Sequence, residues 1–247
     1  MERAAGSLLL AALVCLPAAV DSADHRVIVS TGIPDHAFGP FPGRGNPNRV
    51  QQQAYQFRIP MAPRAADRAA PLPMGPVAVA LNGIPFYNPY NAEGRNAVEG
   101  PYAEVFDACS GHPDPRGRYH YHQMPRCLLQ QRPELVNGGV VGWAFDGYEI
   151  RGPMETDGSR PAGLDECNGH RGPDGAYHYH LTATFPYVMG CYRGQVAREN
   201  FDGGGRGGPG MGPPGGRPPP PRVGERRAAL DDELNNPPIC RSPGAAG

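Results

Sequence analysis

Short apolar or alternating runs, separated by glycine and proline, are the main pattern along this chain of 247 residues. Residues 77–81 and 140–145 are apolar, and each run meets Asn-Gly or Asp-Gly before the chain resumes at 84–86 or 148–150. A run, turn and second run of this kind predict a β-hairpin with a type I′ turn. No amphipathic helix longer than two or three turns is expected before residue 225. We therefore predict a mainly β fold.

An internal duplication organises the chain. Residues 107–122 and 165–180 are identical at ten of sixteen positions, and both segments end in Tyr-His-Tyr-His. The flanking sequences also match, but at a wider offset than the motifs themselves, so the repeats span 77–127 and 141–191. Loops tolerate such length changes at little free-energy cost. We expect one domain built from two copies about an approximate two-fold axis, as a sandwich or a barrel-like fold.

The two ends of the chain differ from the duplicated part. Residues 1–23 contain a short apolar run followed by small residues, which predicts a cleaved signal peptide. That run is too short to span a bilayer, and no later segment qualifies as transmembrane. Residues 201–247 are rich in glycine and proline, which predicts a disordered tail after a domain at 24–200. We expect an extracytoplasmic protein, either periplasmic or secreted.

Charge excludes one class of partner. The formal net charge is -1, and the 23 basic residues are all arginine and are spread along the chain. No basic cluster predicts nucleic-acid binding. Protein partners cannot be named from the sequence, and a metal ion is the partner that the histidines suggest.

Cysteine pairing follows from the predicted export. Five cysteines remain after the signal, and thiols outside the cytoplasm usually oxidise. We favour Cys109–Cys127 and Cys167–Cys191, each closing one copy, while Cys109–Cys167 with Cys127–Cys191 is the symmetric alternative. Cys240 is left over in the tail. The Cys-x-x-His spacing before each histidine motif also fits a zinc ligand set, although export argues against free thiolates.

The histidines of the repeat are the candidate site. Successive side chains on a strand alternate faces, so His120 and His122 project from one side and can close around one ion. His112 follows a Cys-x-Gly step that can return its ring towards the strand. Imidazole ligands favour copper or zinc over calcium or magnesium. The predicted metal ligands are His112, His120, His122, His170, His178 and His180.

Two arrangements of these ligands stay open. Each copy can form its own three-histidine site with an open position, or both strands can share one site across the pseudo-axis. Asp107 and Asp165 are candidates to orient a ligand histidine through its second nitrogen. Glu104, Glu149 and Glu155 are interpreted as turn or surface acids, and Asp146 is interpreted as a turn residue, so they are not included in the site.

Three functions compete at this stage. The first is a protein that binds copper or zinc outside the cytoplasm. The second is a metal-dependent hydrolase or oxidoreductase, in which three histidines leave a position for water. The third is a non-catalytic, disulfide-stabilised envelope or interaction module, in which Tyr-His-Tyr-His is only a packed strand. The sequence does not decide whether the protein is an enzyme.

Several motifs of this chain form a recognisable set. They include Ser30-Thr-Gly-Ile-Pro-Asp-His, Gly45-Asn-Pro-Asn, Val79-Ala-Leu-Asn-Gly-Ile-Pro-Phe, Phe106-Asp-Ala-Cys-Ser-Gly-His, Leu164-Asp-Glu-Cys-Asn-Gly-His and both Tyr-His-Tyr-His segments. With these motifs the chain resembles the YHYH domain family over residues 27–195. In the second copy Glu149 and Arg151 stand where the family form Asp-Gly-Phe-Pro-Ile-Tyr-Gly-Pro has Pro and Tyr. The resemblance implies an exported protein and supports the domain boundaries given above.

Overall fold

A computed structural model describes residues 18–21 and 24–201 of the chain. The fold is mainly β, as predicted, and α1 is a single short helix, Arg126–Gln131. The strands are β1 Ala18–Asp21, β2 His25–Ser30, β3 Tyr55–Pro60, β4 Ala65–Pro71, β5 Pro76–Ala80, β6 Pro85–Tyr87, β7 Gly111–Pro113, β8 Tyr119–Tyr121, β9 Val140–Ala144, β10 Glu149–Arg151, β11 Gly169–Arg171, β12 Tyr177–His180 and β13 Cys191–Gly194. Short 3₁₀ turns cover Pro133–Leu135 and Arg198–Asn200.

The two ends of the chain were predicted to be a signal peptide and a disordered tail. The tail and most of the signal lie outside the described residues. The exception is β1, which lies within the predicted signal and pairs with β2. In a chain cleaved as predicted, β1 would be removed and β2 would keep β3 as its only partner in that sheet. Among the described helices, none is long and apolar enough to cross a membrane.

The duplication is visible in an eight-stranded sheet. Its strand order is β11-β12-β10-β9-β5-β6-β8-β7, so each copy contributes four neighbouring strands in the same internal order. The two copies meet where β5 pairs antiparallel with β9. In both copies the hairpin strand and the Tyr-His-Tyr-His strand run parallel, as β6 with β8 and β10 with β12. The predicted two-fold relation therefore lies at the centre of this sheet.

The sheet is open, so the barrel-like alternative is wrong for the described residues. Its edges are β7 and β11, which do not pair with each other. A second sheet of β1, β2 and β3 packs on the large one through buried aromatic contacts, with the rings of Phe57 and Phe145 stacked 5.5 Å apart. Strands β4 and β13 form a further pair.

The hairpin turns differ from the predicted type. Gly83 and Gly147 have positive φ angles of 77° and 91°, but the Asn82 and Asp146 before them do not. The amide of Gly83 donates to the Ala80 carbonyl, so the turn is one residue longer than a type I′ turn and ends at the glycine. A type I turn followed by a left-handed glycine is the usual three-residue hairpin loop. The hairpins were predicted correctly and the turn type was wrong.

Each copy is closed by the disulfide predicted for it. Cys109 bonds Cys127 at the start of α1, and Cys167 bonds Cys191 at the start of β13. The cross-paired alternative is thereby excluded, and so is a zinc site that uses the thiolates of these cysteines. Both disulfides anchor the turn that precedes the first histidine of each motif.

Tyrosine and histidine side chains divide the two faces of the motif strands. Tyr119, Tyr121 and Tyr179 are fully buried and belong to the hydrophobic core. Because side chains alternate along a strand, the histidines between them point to the opposite face. There they are covered by the loops between strands, so His120 is 2% exposed and His178 is 1% exposed.

Candidate metal centre

The three histidines of copy 1 converge through one nitrogen each. The Nε2 atom of His120 lies 3.0 Å from Nε2 of His112 and 3.1 Å from Nε2 of His122. β7 and β8 produce this arrangement because their antiparallel register places His112 directly opposite His120. The three potential ligand nitrogens lie within 4.8 Å of one another.

Copy 2 repeats the same geometry. Nε2 of His178 lies 3.2 Å from Nε2 of His170 and 3.0 Å from Nε2 of His180. The register of β11 and β12 pairs His170 with His178, as β7 and β8 do in copy 1. The structure therefore brings all six predicted residues together as two groups of three.

The two groups are separate. The motif strands β8 and β12 are five strand intervals apart in the eight-stranded sheet. At about 4.8 Å per interval, they lie about 24 Å apart along the sheet, far beyond the reach of two histidine side chains. Of the two predicted arrangements, the described coordinates contain one cluster per copy and not a shared site.

Backbone carbonyls hold the second ring nitrogen of most of these histidines. Nδ1 of His120 lies 2.9 Å from the Arg118 carbonyl, and Nδ1 of His122 lies 2.6 Å from the Asn88 carbonyl. A carbonyl can only accept, so each Nδ1 carries the proton and donates it. The Nε2 atoms of both rings are therefore unprotonated lone-pair donors that face each other.

The same contacts recur in copy 2. Nδ1 of His180 donates to the Gly152 carbonyl at 2.8 Å, the position equivalent to Asn88, and Nδ1 of His170 donates to Ala162 at 3.0 Å. Nδ1 of His178 is buried without a well-formed hydrogen bond, although the backbone of Ala176, two residues earlier, still raises its pKa slightly. His112 differs: the side-chain amide of Asn46 donates to its Nδ1 at 3.3 Å, so the neutral ring carries its proton on Nε2, which faces Nε2 of His120.

Glu104 completes the cluster of copy 1, which the sequence analysis missed. Its Oε2 atom lies 3.1 Å from Nε2 of His122 and 3.4 Å from Nε2 of His112. Burial raises the pKa of this carboxyl, but the close contact with His122 and the electrostatic effect of His122 and His112 outweigh burial and lower the pKa overall. The carboxylate is thus held ionised beside the imidazole nitrogens.

Glu155 occupies the matching place in copy 2, but it comes from a different position in the repeat. Its Oε1 lies 3.1 Å from Nε2 of His170 and 3.5 Å from Nε2 of His180. In the alignment of the two hairpins the counterpart of Glu155 is Asn91, not Glu104. Two loops of different length therefore place a carboxylate at the equivalent point of each cluster. Aligning the two repeats in sequence could not reveal this correspondence.

Burial favours the neutral form of four of the clustered imidazoles, those of His112, His120, His178 and His180. It lowers the pKa of His112 to about 4, with a further contribution from the charge of His122. Burial also lowers the pKa of His178 to about 4, helped by the positive charge of Arg151. The pKa of the fully enclosed His120 falls well below its usual value for the same reason. Neutral imidazole is the form that binds metal ions.

Asp107 and Asp165 do not contact the histidine rings. The carboxylate of Asp107 accepts hydrogen bonds from the Tyr119 hydroxyl at 2.8 Å and from the backbone amide of Cys109 at 2.9 Å. Asp165 makes the equivalent bonds to Tyr177 and Cys167. These aspartates hold the disulfide-bearing turn and a core tyrosine, so they act on the cluster only through the backbone that carries it.

Asp146 does more than form a turn. Its carboxylate is fully buried and accepts hydrogen bonds from the Tyr179 hydroxyl at 2.6 Å and from the Gly194 amide at 2.9 Å. Burial raises the pKa of this group, and these donors partly offset the effect. The residue ties the motif strand of copy 2 to β13 on the core side of the sheet.

Comparison with known protein families matches residues 56–162 and 154–194 to the family described as YHYH protein. The two matched segments span both repeats and more than half of the chain. The chain therefore belongs to the YHYH protein family, as its motifs suggested. Searches of curated proteins and of solved structures each found no match.

Proposed function

We propose that this protein binds two divalent transition-metal ions, one in each copy. The ligands are three histidine Nε2 atoms and one glutamate oxygen in each case. Zinc or copper is the expected ion. The proposal is supported by the near-identical placement of two three-histidine clusters, and by a carboxylate that reaches each cluster from a different loop.

The main support for a bound metal ion is the arrangement of the imidazole lone pairs. In copy 1 the Nδ1 protons of His120 and His122 are committed to backbone carbonyls, so their Nε2 lone pairs face each other at 3.1 Å. Two buried lone pairs at that distance repel unless a cation or a proton lies between them. The lowered pKa of His120 disfavours a proton, since burial penalises the charged ring. A metal ion that displaces the Nε2 proton of His112 would bind the lone pairs of all three rings at once.

The spacing and the ligand types narrow the choice of ion. With metal–nitrogen bonds of about 2.0–2.1 Å, two ligands of a tetrahedral ion lie about 3.3 Å apart. The Nε2 separations of 3.0–3.2 Å are close to that value. Three imidazoles suit zinc or copper, and the added carboxylate favours Zn²⁺ or Cu²⁺ over Cu⁺. Calcium and magnesium prefer oxygen ligands throughout.

Four protein ligands favour a bound or stored ion over a catalytic one. A catalytic zinc ion usually has three protein ligands and keeps a position for water, whereas a closed set of four is typical of structural ions. The proposed protein is therefore a metal-binding protein, not a hydrolase or an oxidoreductase. The disulfides are consistent with an extracytoplasmic location, where such thiols oxidise.

The test is metal stoichiometry in the full chain, purified without a histidine tag and dialysed against zinc or copper. Elemental mass spectrometry should find about two ions per chain. His120→Ala should remove one and His178→Ala the other, while His25→Ala on β2 should leave the metal content unchanged. Melting temperatures measured without metal identify variants that fail to fold. Less than half an ion per chain in the correctly folded wild type overturns the proposal.

A further inference from the structure

The two clusters share their ligands but differ in what lies beside them. In the alignment of the hairpins Tyr87, which ends β6, corresponds to Arg151, which ends β10. Each is followed directly by a residue whose backbone carbonyl accepts a hydrogen bond from a ligand histidine. That residue is Asn88 in copy 1 and Gly152 in copy 2. An aromatic ring in one copy is thus replaced by a cation in the other, at a place that faces the proposed metal.

In copy 1 aromatic rings enclose the histidines. The ring of Tyr87 stacks on His120 with centroids 3.7 Å apart and an interplanar angle of 18°. The ring of Phe106 lies 4.7 Å from that of His112. These contacts leave the His112 side chain only 6% exposed. The ligand rings are held rigidly and are shielded from solvent.

A cation is also present near copy 1, but its charge is compensated. Arg118 forms an ion pair with Asp114 at 2.5 Å, and both side chains are largely buried at 13% and 11% exposure. The Tyr87 hydroxyl donates to the same carboxylate at 3.2 Å. Asp114 therefore neutralises Arg118 inside the protein.

In copy 2 the enclosing rings are missing. Among the described residues, the ring contacts of His170, His178 and His180 are made only with one another. The His170 side chain is 17% exposed. Arg151 on β10 pairs directly with His180 on β12, so its side chain leaves the sheet on the same face as the ligand histidine beside it.

The countercharge of Arg151 is more weakly placed than that of Arg118. Glu149 accepts from the guanidinium at 2.9 Å and 3.0 Å, but its side chain is 38% exposed. An exposed carboxylate is screened by water, so it offsets less of the arginine charge than a buried one. A cation close to a divalent ion opposes binding of that ion.

We propose that the two centres form a hierarchy: copy 1 binds its ion tightly and retains it, and copy 2 binds its ion more weakly and exchanges it with solvent. This inference rests on the proposed function. Arg151 sets the difference by its charge, and His170, the most exposed of the six histidines, provides the route by which ligands reach the ion. Copy 2 is then the centre from which a metal ion can be passed to another molecule.

The experiment measures zinc affinity at each site in the full chain. His180→Ala leaves only copy 1 and His122→Ala leaves only copy 2, and these two histidines are equivalent in the repeat. Competition with a chelator should give a dissociation constant at least about tenfold lower for copy 1 than for copy 2. Transfer of zinc to excess chelator should release the copy 2 ion first.

Arg151→Gln, made in the His122→Ala background, tests the cause. This variant should lower the zinc dissociation constant of copy 2 and remove most of its difference from copy 1. Arg132→Gln, on the exposed Arg132–Glu134 pair, should leave the dissociation constant of copy 2 unchanged. Equal affinities at the two sites, tighter binding by copy 2, or no effect of Arg151→Gln would overturn the hierarchy. None of these results contradicts the proposed function, which fails if the correctly folded wild type binds less than half an ion per chain.

Discussion

Val79 on β5 pairs directly with Trp143 on β9, and the two are equivalent residues of the two copies. On one side of this pair Ala78 faces Ala144, which is equivalent to Ala80. On the other side Ala80 faces Gly142, which is equivalent to Ala78. A pairing of this kind places the pseudo-two-fold axis between Val79 and Trp143. It is the arrangement of a symmetric dimer interface joined into one chain.

The axis explains why the histidine clusters are far apart. Each copy extends outward from the central strands in the order hairpin, Tyr-His-Tyr-His strand and edge strand. The histidines therefore lie near opposite ends of the sheet. Two independent centres follow from the symmetry, and each can serve as the internal control for the other.

Replacing the two glutamates should weaken metal binding in a site-specific way. Glu104→Gln should raise the zinc dissociation constant of copy 1, and Glu155→Gln that of copy 2, because each removes a charged ligand. Even outer-shell partners of a metal ligand contribute about 10–100-fold to affinity, so at least about tenfold is expected here. Chelator competition measures the change. Glu93→Gln, an exposed acid in the same loop as Glu104, is the control, and equal effects of Glu93→Gln and Glu104→Gln would contradict the assignment.

The structure also predicts how stability depends on pH in the metal-free protein. His112 and His178 have a pKa of about 4 when folded, against an ordinary value of 6.5. Between these values the unfolded chain binds more protons than the folded one, so the free energy of unfolding falls as the pH falls from 6.5 towards 4. Each residue contributes on the order of 3 kcal/mol to that loss.

Urea denaturation of the metal-free chain at pH 7.5 and pH 5 measures this effect. The free energy of unfolding changes with pH in proportion to the difference in bound protons between the folded and unfolded states. The free energy of unfolding of the double variant His112→Asn/His178→Asn should therefore depend less steeply on pH. Identical slopes for the wild type and the variant would show that these rings titrate normally in the folded state.

Asp146 in copy 2 and Asn82, its counterpart in copy 1, should not be interchangeable. Oδ2 of Asp146 accepts from both Tyr179 and Gly194, and Oδ1 accepts from the backbone amide of Tyr148 at 3.3 Å, so in either orientation an amide at this position would point its NH₂ group at a donor. Asn82 donates to Asp35 at 3.0 Å, so a carboxylate there would face another carboxylate. Asp146→Asn and Asn82→Asp should each lower the free energy of unfolding by about 1–3 kcal/mol. A melting temperature unchanged in both variants would contradict these assignments.

The disulfides should stabilise the two copies to similar extents. Cys109–Cys127 closes a separation of 18 residues and Cys167–Cys191 one of 24, and loops of this size contribute about 3 kcal/mol in the chain-entropy account. Replacing either pair by alanine should lower the melting temperature measured by calorimetry. Because each disulfide anchors the turn before a ligand histidine, metal bound by the same copy should also be lost more readily. A pair whose removal leaves both quantities unaltered would have no structural role.

The predictable features were those that the repeat displays at a fixed offset. Cys109 and Cys167 recur in register, as do the six histidines, so the disulfides, the hairpins and the grouping of histidines could be inferred from the sequence. Because side chains alternate along a strand, the sequence also predicted that the tyrosines and histidines of each motif point to opposite faces of the sheet.

Other features depend on loops, and the sequence did not reveal them. Glu104 stands much closer along the chain to His112 than Glu155 does to His170, so no common spacing marks the two acids as partners of the site. The hydrogen bonds of Asp107 to Tyr119, instead of to a histidine, depend on how a turn folds back across a strand. Such contacts are set by tertiary packing, which single-sequence patterns do not encode.

Anomalous diffraction at the zinc edge from crystals of the zinc-loaded protein tests the central claim most directly. The account predicts two strong peaks, one in each copy, each about 2.0–2.2 Å from three histidine Nε2 atoms and one oxygen of Glu104 or Glu155. Peaks elsewhere in the molecule, with both histidine clusters empty and their rings hydrogen-bonded to one another, would contradict it.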